Sequence, residues 1–114
     1  MFNISSIYPK KEGAKFDFEY YLNIHMPLSI HLLSGAKGFL GVSVERGVEI
    51  KEMNIESAFV AMCHYYFETL TDFMNAFMPH AKQLQGDIEN YTDIKPITQI
   101  NEVVISRQNY AQPL

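Results

Sequence analysis

One segment, residues 58–67 (AFVAMCHYYF), constrains the fold of this 114-residue chain more than any other. Aromatic and other apolar residues dominate it, and its length favours a β-strand. The side chains of a strand alternate between two faces, and here both faces are apolar. One face carries Phe59, Ala61, Cys63, Tyr65 and Phe67, and the other carries Val60, Met62, His64 and Tyr66. Such a pattern is typical of a central strand that is covered on both sides.

The pattern of the whole chain predicts two helices inserted among four strands. The strands are predicted at residues 2–8, 39–48, 58–67 and 95–106. The first helix begins at Asp17, whose carboxylate can cap free backbone N–H groups, and Pro27 interrupts it. The second helix begins at Thr69 or Thr71, and Pro79 interrupts it in the same way. The order β-α-β-β-α-β is the split βαβ arrangement, which is an α+β fold.

The chain length leaves room for one domain, which we place at residues 1–106 and follow with a tail at residues 107–114. Two helices can cover only one face of a four-stranded sheet. The other face would then expose a larger apolar surface than a monomer normally presents to water. A second copy, packed sheet against sheet, would bury that surface. We therefore predict a homodimer with two-fold symmetry.

Composition and charge exclude several classes of protein. The net charge is −4, whereas surfaces that bind nucleic acid are usually basic. No apolar run approaches the roughly 18–20 residues of a membrane span, and the first residues lack the pattern of a signal peptide. The single cysteine, Cys63, cannot form an internal disulfide, which favours a reducing compartment. We therefore predict a cytoplasmic protein with neither a nucleic acid nor a membrane as partner.

No standard cofactor motif is present. The six glycines are scattered, so the chain has no phosphate-binding loop, and neither CxxC nor HExxH occurs. Four histidines without ligand spacing give little support for a metal, and nothing selects one of them as an axial ligand for haem. The Cys63 thiol is predicted to pack inside the strand rather than to react. We expect no nucleotide cofactor and no metal.

Three histidines lie where a site could form, and each has an alternative role. His25 precedes the break at Pro27, where it could act as a general acid or base, or could bond a carbonyl freed by the kink. His64 could face either a cleft under the helices or the dimer contact. His80, next to Pro79, could line the same cleft or be solvated. The pattern alone leaves these alternatives open.

Aromatic residues make up 13% of the chain, enough to build a ligand pocket. Apolar pockets with a few polar tips are the usual form of small-molecule sites. The alternative is a core whose hydroxyl groups reach the surface. Asp87 has two roles open to it, because its carboxylate could orient a histidine or begin a turn. The aromatic candidates for the pocket are Tyr8, Phe18, Tyr20, Tyr21, Phe73, Phe77 and Tyr91.

Several short strings, taken in order, resemble the EthD family. They are YP at 8–9, FD at 16–17, YYL at 20–22 and HMPL at 25–28, then DI at 87–88 and NYT at 90–92. The resemblance implies a ferredoxin-like subunit with a four-stranded antiparallel sheet, two of which form a dimeric α/β barrel. It also implies a cleft between the helices and the sheet, and family members are often labelled reductases. The residues that match the family's motifs include His25, Tyr21, Asp87 and Tyr91.

From these residues and this resemblance we predict a small enzyme acting on a small apolar or aromatic metabolite, with oxidoreductase activity among the reactions implied. His25 would transfer a proton, Tyr21 would assist and Asp87 would orient the imidazole. The side chains expected to bind the substrate are Phe18, Met26, Phe77, His80, Tyr91 and His64. The alternative is a non-catalytic binding or accessory protein for a hydrophobic metabolite.

Overall fold

Four antiparallel strands form a single sheet in the order β2-β3-β1-β4. In this computed structural model, which describes residues 1–107, the strands are β1 (Phe2–Pro9), β2 (Phe39–Arg46), β3 (Phe59–Phe67) and β4 (Ile97–Glu102). Helical segments follow β1 and β3, which confirms the predicted α+β, ferredoxin-like arrangement. Apart from Arg107, the predicted tail at residues 107–114 lies outside the described residues.

The first helical segment contains an inserted π-helical turn. It runs through α1 (Phe18–Tyr20), the π turn (Tyr21–His25) and α2 (Met26–Ser34). As predicted, Asp17 caps it, and its Oδ1 accepts a hydrogen bond from the Tyr20 N–H at 3.1 Å. The Met26 N–H donates to the Tyr21 carbonyl and closes the wide turn directly before Pro27. The predicted interruption at Pro27 therefore takes the form of a π turn.

The second helical segment is broken at its proline. It consists of α3 (Leu70–Phe77), a 3₁₀ turn (Met78–His80) and α4 (Ala81–Gly86), and a further 3₁₀ turn (Ile88–Asn90) follows. Thr69, one of the two predicted caps, accepts a hydrogen bond from the Asp72 N–H through Oγ1 at 3.0 Å. Pro79 lies in the 3₁₀ turn, as its missing N–H requires. Within residues 1–107, no helix has the length and apolar character needed to cross a membrane.

The two edge strands are shorter than predicted. β4 ends at Glu102, opposite Phe2, because its partner β1 begins there. β2 ends at Arg46, opposite Ala61 near the start of β3. One backbone hydrogen bond continues past each end, from the Gly47 N–H to the Val60 carbonyl and from the Val103 N–H to the Met1 carbonyl, but the regular ladder stops there. The predicted ends at residues 106 and 48 are therefore too long.

The two faces of β3 have different surroundings. The residues that it buries toward the helices are Ala61, Cys63, Tyr65 and Phe67. The opposite face of the sheet, here called the outer face, carries the half-buried alternate residues. Polar groups cross this outer face: His64 Nδ1 lies 2.6 Å from the Ser5 hydroxyl, and His64 Nε2 lies 3.2 Å from Glu45 Oε1. The outer face is therefore mixed, and less apolar than the sequence of β3 alone predicted.

Candidate functional site

A cavity of about 240 Å³ lies between the helical segments and the inner face of the sheet. The first helical segment lines it with Tyr21, His25, Met26 and Ser29. The sheet contributes Ser6, Tyr8, Cys63, Tyr65 and Thr98 among others, and α3 contributes Phe73 and Phe77. Apolar side chains with a few polar groups are the usual lining of small-molecule sites. The predicted cleft between helices and sheet is therefore present.

The π turn brings Tyr21 and His25 to the same wall of the cavity. They are the two buried residues of the turn, with 1% and 7% of their surface exposed. Their rings are nearly parallel, with an interplanar angle of 14° and centroids 5.9 Å apart. The residues between them face outward and are exposed. Inserted π turns often occur at functional sites because they redirect side chains in this way.

His25 forms an ion-pair contact with Asp87 at the edge of the cavity. The distance from His25 Nδ1 to Asp87 Oδ2 is 2.8 Å. An ionised carboxylate can only accept hydrogen bonds, so Nδ1 carries the proton in this contact. No hydrogen-bond partner of His25 Nε2 occurs among residues 1–107. Nε2 of the neutral ring is therefore the nitrogen with a lone pair to offer a ligand.

Three donors hold the Asp87 carboxylate in its ionised form. Besides His25, the Tyr20 hydroxyl donates to Oδ1 at 2.7 Å and Asn90 Nδ2 donates to Oδ1 at 2.8 Å. Burial favours the neutral acid, but the hydrogen bonds from Tyr20, Asn90 and His25 outweigh it and hold the pKa of Asp87 below its ordinary value. Asp87 is thus a fixed anion that orients the imidazole. Of the two roles left open for Asp87, the contact favours orientation of a histidine.

The tyrosine hydroxyls around the cavity differ in whether they have a hydrogen-bond partner. Tyr65 OH lies 2.6 Å from Ser29 Oγ, and Tyr8 OH lies 2.6 Å from Tyr91 OH. Tyr21 OH is fully buried and has no hydrogen-bond partner among residues 1–107. Burial raises the pKa of Tyr21 far above its ordinary value, so this hydroxyl stays protonated. It is a neutral donor without an acceptor.

Tyr91 supports the site from behind and does not line the cavity. Its ring is fully buried, and the ring centroid lies 4.7 Å from that of His25. The Asp17 N–H donates to the Tyr91 carbonyl at 2.7 Å, which ties the loop to the start of the first helical segment. The loop that carries Asp87 is therefore anchored to the segment that carries His25. Tyr91 fixes the imidazole by packing rather than by contact with a ligand.

Three other residues predicted to bind substrate also lie away from the cavity. His64 is on the outer face, because its position on β3 alternates with the inward-facing Cys63 and Tyr65. Phe18 packs beneath the Arg46 guanidinium, whose carbon lies 4.2 Å from the ring centroid. His80, in the 3₁₀ turn after Pro79, is half-buried outside the cavity lining. Met26 and Phe77 do line the cavity, as predicted.

Sequence reasoning named Tyr20 only as an aromatic candidate for the pocket, and it assigned no role to several other polar residues of the site. Tyr20 and Asn90 hold Asp87, and Ser29, Ser6 and Thr98 place hydroxyl groups in the lining. Ser6 and Thr98 are directly paired across β1 and β4 and so share a face. The β1–β4 pairing follows from the predicted topology. The sequence could therefore have indicated that Ser6 and Thr98 lie side by side. The contact between Tyr20 and Asp87 had no such signal, because it depends on how the loop that carries Asp87 packs against the start of the first helical segment.

Cys63 lies in the cavity floor as a neutral thiol. It is almost fully buried, and burial raises its pKa to about 12. A thiolate is therefore disfavoured at neutral pH, which supports the prediction that Cys63 packs rather than reacts. Within residues 1–107, no group of three or more His, Cys, Asp or Glu side chains is arranged to hold a metal ion.

These features define a class of protein. It is a ferredoxin-like fold with an aromatic cavity under its helices and a His–Asp pair at the cavity wall. The sequence profile of the EthD domain matches residues 13–95. The chain therefore belongs to the EthD family, as the order of its motifs predicted.

Two solved structures are similar to this chain over nearly its whole length. An EthD-like protein from Ralstonia eutropha JMP134 is 39% identical, with a TM-score of 0.82 over 93% of this chain and 94% of that one. An ethyl tert-butyl ether D (EthD) family protein from Bacillus halodurans C-125 is 23% identical, with a TM-score of 0.69 over 91% of this chain and 99% of that one. The second likeness concerns the fold alone. No functionally curated protein matches the sequence.

Proposed function

We propose that this protein is a small enzyme that binds a small apolar or aromatic molecule in the cavity and transfers a proton with His25. The observation that carries the proposal is the 2.8 Å contact between His25 Nδ1 and Asp87 Oδ2. It leaves Nε2 to exchange a proton with a bound ligand. Asp87 orients the imidazole and stabilises the imidazolium that forms, and the Tyr21 hydroxyl assists from the same wall.

The apolar lining supports binding of an apolar substrate. Met26 and Phe77 contribute apolar surface on two sides of the cavity, and each would lose contact with water when a ligand enters. The proton transfer would then occur in a site from which water is largely excluded. The ion pair that His25 and Asp87 form when the imidazole takes up a proton is stronger in such a site than in water.

A proton-exchange assay tests the catalytic role without knowledge of the natural substrate. Uncharged ring ketones with an acidic C–H are incubated with the protein in D₂O, and deuterium incorporation is followed by NMR. We expect His25→Gln to lower the exchange rate by about 100-fold or more, the usual size of a general-base contribution. His31→Gln removes an exposed histidine of α2 and serves as the matched control. Equal exchange rates for His25→Gln and His31→Gln would reject the role.

An oxidoreductase activity, which the family resemblance implies, remains part of the proposal. Oxidation of a ring compound would require an electron acceptor from solution, such as dioxygen. Oxygen consumption is therefore measured with the same panel of compounds. Consumption that depends on both the compound and His25 would assign the reaction to oxidation, whereas deuterium incorporation alone would assign it to proton transfer.

The second candidate is a non-catalytic binding or accessory protein for a hydrophobic metabolite. The dominance of aliphatic and aromatic side chains in the lining favours it, because a carrier needs the cavity but no titrating group. The two candidates differ in what His25 does. A carrier would bind ring compounds with equal affinity in the wild-type protein and in His25→Gln, and neither protein would exchange protons.

The proposal includes assembly as a cytoplasmic homodimer, the dimeric α/β barrel. The half-buried side chains of β3 on the outer face, Val60 and Met62, support it, and so does Ile97 of β4, which is 48% exposed. A second copy packed on this face would remove these side chains from water. The reduced, buried Cys63 thiol is compatible with a cytoplasmic setting.

A further inference from the structure

Tyr21 is anomalous among the polar residues of the fold. Its hydroxyl is the single buried side-chain oxygen or nitrogen without a hydrogen-bond partner in residues 1–107. The hydroxyls of Tyr8, Tyr20 and Tyr65, which surround the same site, are all bonded. A buried donor without an acceptor is less favourable than a bonded one, because it has lost its hydrogen bonds to water and gained none in return. A phenylalanine at position 21 would avoid this cost, so the hydroxyl calls for an acceptor that residues 1–107 do not supply.

The size and shape of the cavity limit what can supply that acceptor. An apolar protein cavity of about 150 Å³ is known to hold benzene. This cavity, at about 240 Å³, can hold one ring with a substituent of a few atoms. Phe73 and Phe77 both line the cavity, and their rings are stacked on each other with an interplanar angle of 12° and centroids 5.4 Å apart. A planar aromatic ring can pack favourably against these side chains in an offset-stacked or edge-to-face arrangement.

The charges of the lining limit the ligand further. No Lys, Arg, Asp or Glu side chain of residues 1–107 lines the cavity. His25 does line it, but its positive form is already neutralised by Asp87. A carboxylate or phosphate would therefore be buried without a counter-charge, which is strongly unfavourable. The charge of Asp87 is in turn satisfied by three donors, so it is not directed at a ligand cation.

We propose that the cavity binds an uncharged, planar, single-ring compound through one oxygen atom, a carbonyl or ether oxygen, that accepts the hydrogen bond of Tyr21. This inference rests on the proposed function in that it uses the same cavity, and it adds the chemical class of the ligand. Tyr21 is the residue that determines specificity, because it distinguishes an oxygenated ring from a hydrocarbon. His25 Nε2, on the same wall, then faces the ring beside that oxygen.

Four compounds of nine non-hydrogen atoms test the ligand class by NMR titration of the full chain. They are acetophenone, which is neutral with a carbonyl oxygen, α-methylstyrene, in which CH₂ replaces that oxygen, benzoate and benzamidinium. We expect acetophenone to bind about tenfold more tightly than α-methylstyrene, the usual effect of one buried hydrogen bond. Benzoate and benzamidinium should bind more weakly still. Tighter binding of either ion, or equal binding of all four compounds, would overturn the inference, as would a failure of acetophenone to bind.

The variant Tyr21→Phe links the preference to one hydroxyl. It should lower the affinity for acetophenone about tenfold and leave that for α-methylstyrene unchanged. Tyr66→Phe, on the outer face, is the matched control and should change neither affinity. An unchanged preference for acetophenone in Tyr21→Phe would assign recognition to another group and reject the proposal.

The outcome separates this inference from the proposed function. Tyr21-dependent binding of acetophenone, without exchange that depends on His25, would support the ligand class and reject the acid–base role. Exchange that depends on His25 but occurs only with carboxylate-bearing rings would support the acid–base role and reject the ligand class.

Discussion

Tyr20 and Tyr21 are neighbours in sequence, yet their hydroxyls have opposite environments. The Tyr20 hydroxyl donates to Asp87 at 2.7 Å from outside the cavity, and the hydrogen bond to Asp87 raises the pKa of Tyr20. The Tyr21 hydroxyl is buried in the cavity wall without a partner. Tyr20 thus holds the carboxylate that bonds His25, whereas Tyr21 is the residue that we propose to donate to a ligand. Two residues of the same type therefore differ in the hydrogen bonding of a single atom.

The first prediction at the scale of single residues concerns the stability of Tyr21→Phe. Removing the unpartnered hydroxyl should raise the free energy of unfolding of the ligand-free protein by about 1 kcal/mol, because a buried unsatisfied group is lost. Urea denaturation measures the change. The matched variant Tyr65→Phe should instead lower stability, since it leaves Ser29 without its partner at 2.6 Å. A loss of stability in Tyr21→Phe as large as that in Tyr65→Phe would show that the hydroxyl is structurally satisfied.

The second prediction concerns the pH dependence that Asp87 contributes. Its pKa is below the ordinary value of 3.8 in the folded state, so the unfolded chain takes up a proton first as the pH falls. The stability that the ionised carboxylate contributes is complete above pH 3.8 and is lost as the pH falls through the lower, folded-state pKa. The stability difference between the wild-type protein and Asp87→Asn should therefore be largest at neutral pH and shrink in acid.

Urea denaturation at several pH values between neutrality and strong acid measures this difference. Glu89→Gln, which removes an exposed carboxylate from the adjacent 3₁₀ turn, is the control and should show no such trend. A difference between wild type and Asp87→Asn that stays constant with pH would contradict the three-donor arrangement around Asp87.

At the scale of elements, the sequence predicted the order, the caps and the breaks, because these depend on local chemistry. Asp17 and Thr69 cap their helices through side-chain oxygens, and Pro27 and Pro79 interrupt them through a missing N–H. Orientation of a histidine was one of the two roles left open for Asp87, and the structure places its carboxylate 2.8 Å from His25 Nδ1. The order, the caps and the breaks can be derived from a few consecutive residues or from a family pattern.

The features that were not predicted depend on longer-range geometry. The face of His64 is set by the register of β3 with its neighbours, and the alternation of an all-apolar strand gives no sign of which face is inward. Proline chemistry indicates a break before Pro27 but not that the break is a π turn. Tyr91, although part of a family motif, packs behind His25 because the loop is tied to Asp17. Side-chain direction therefore had to come from the three-dimensional structure.

The π turn supplies the prediction at the scale of elements. Asn23 is an exposed residue within the turn, and its deletion should restore regular α-helical hydrogen bonding. Tyr21 and His25 would then be three positions apart, and their parallel rings would separate. We expect unchanged helix content by circular dichroism but at least a tenfold loss of acetophenone binding and of proton exchange. A deletion of Glu52 from the exposed 3₁₀ turn at Lys51–Met53 is the control. Retained binding in the Asn23 deletion would show that the π turn is not required.

At the scale of the whole molecule, the alternation of side chains along β3 separates two surfaces, the cavity lining and the outer face of the sheet. Cys63 and Tyr65 face the cavity, whereas Met62 and His64 face the outer surface of the same strand. A substitution on one surface need not disturb the other. The polar contacts of His64 with Ser5 and Glu45 also indicate that the outer face is only partly apolar. A dimer built on it would therefore combine apolar contact near Met62 with polar groups that remain hydrogen-bonded within each subunit.

Met62→Glu tests this arrangement. We expect the wild-type protein to have the mass of two chains by light scattering and Met62→Glu the mass of one, because a carboxylate would be buried in the contact without a partner. Met74→Glu, on the solvent side of α3 at a methionine that is 55% exposed, should leave the mass unchanged. Acetophenone binding separates loss of the dimer from loss of the fold, since the cavity lies on the inner face of the sheet and Met62 lies on the outer face. A wild-type mass of one chain at low concentration would reject the dimer, and the outer face would then be exposed to water.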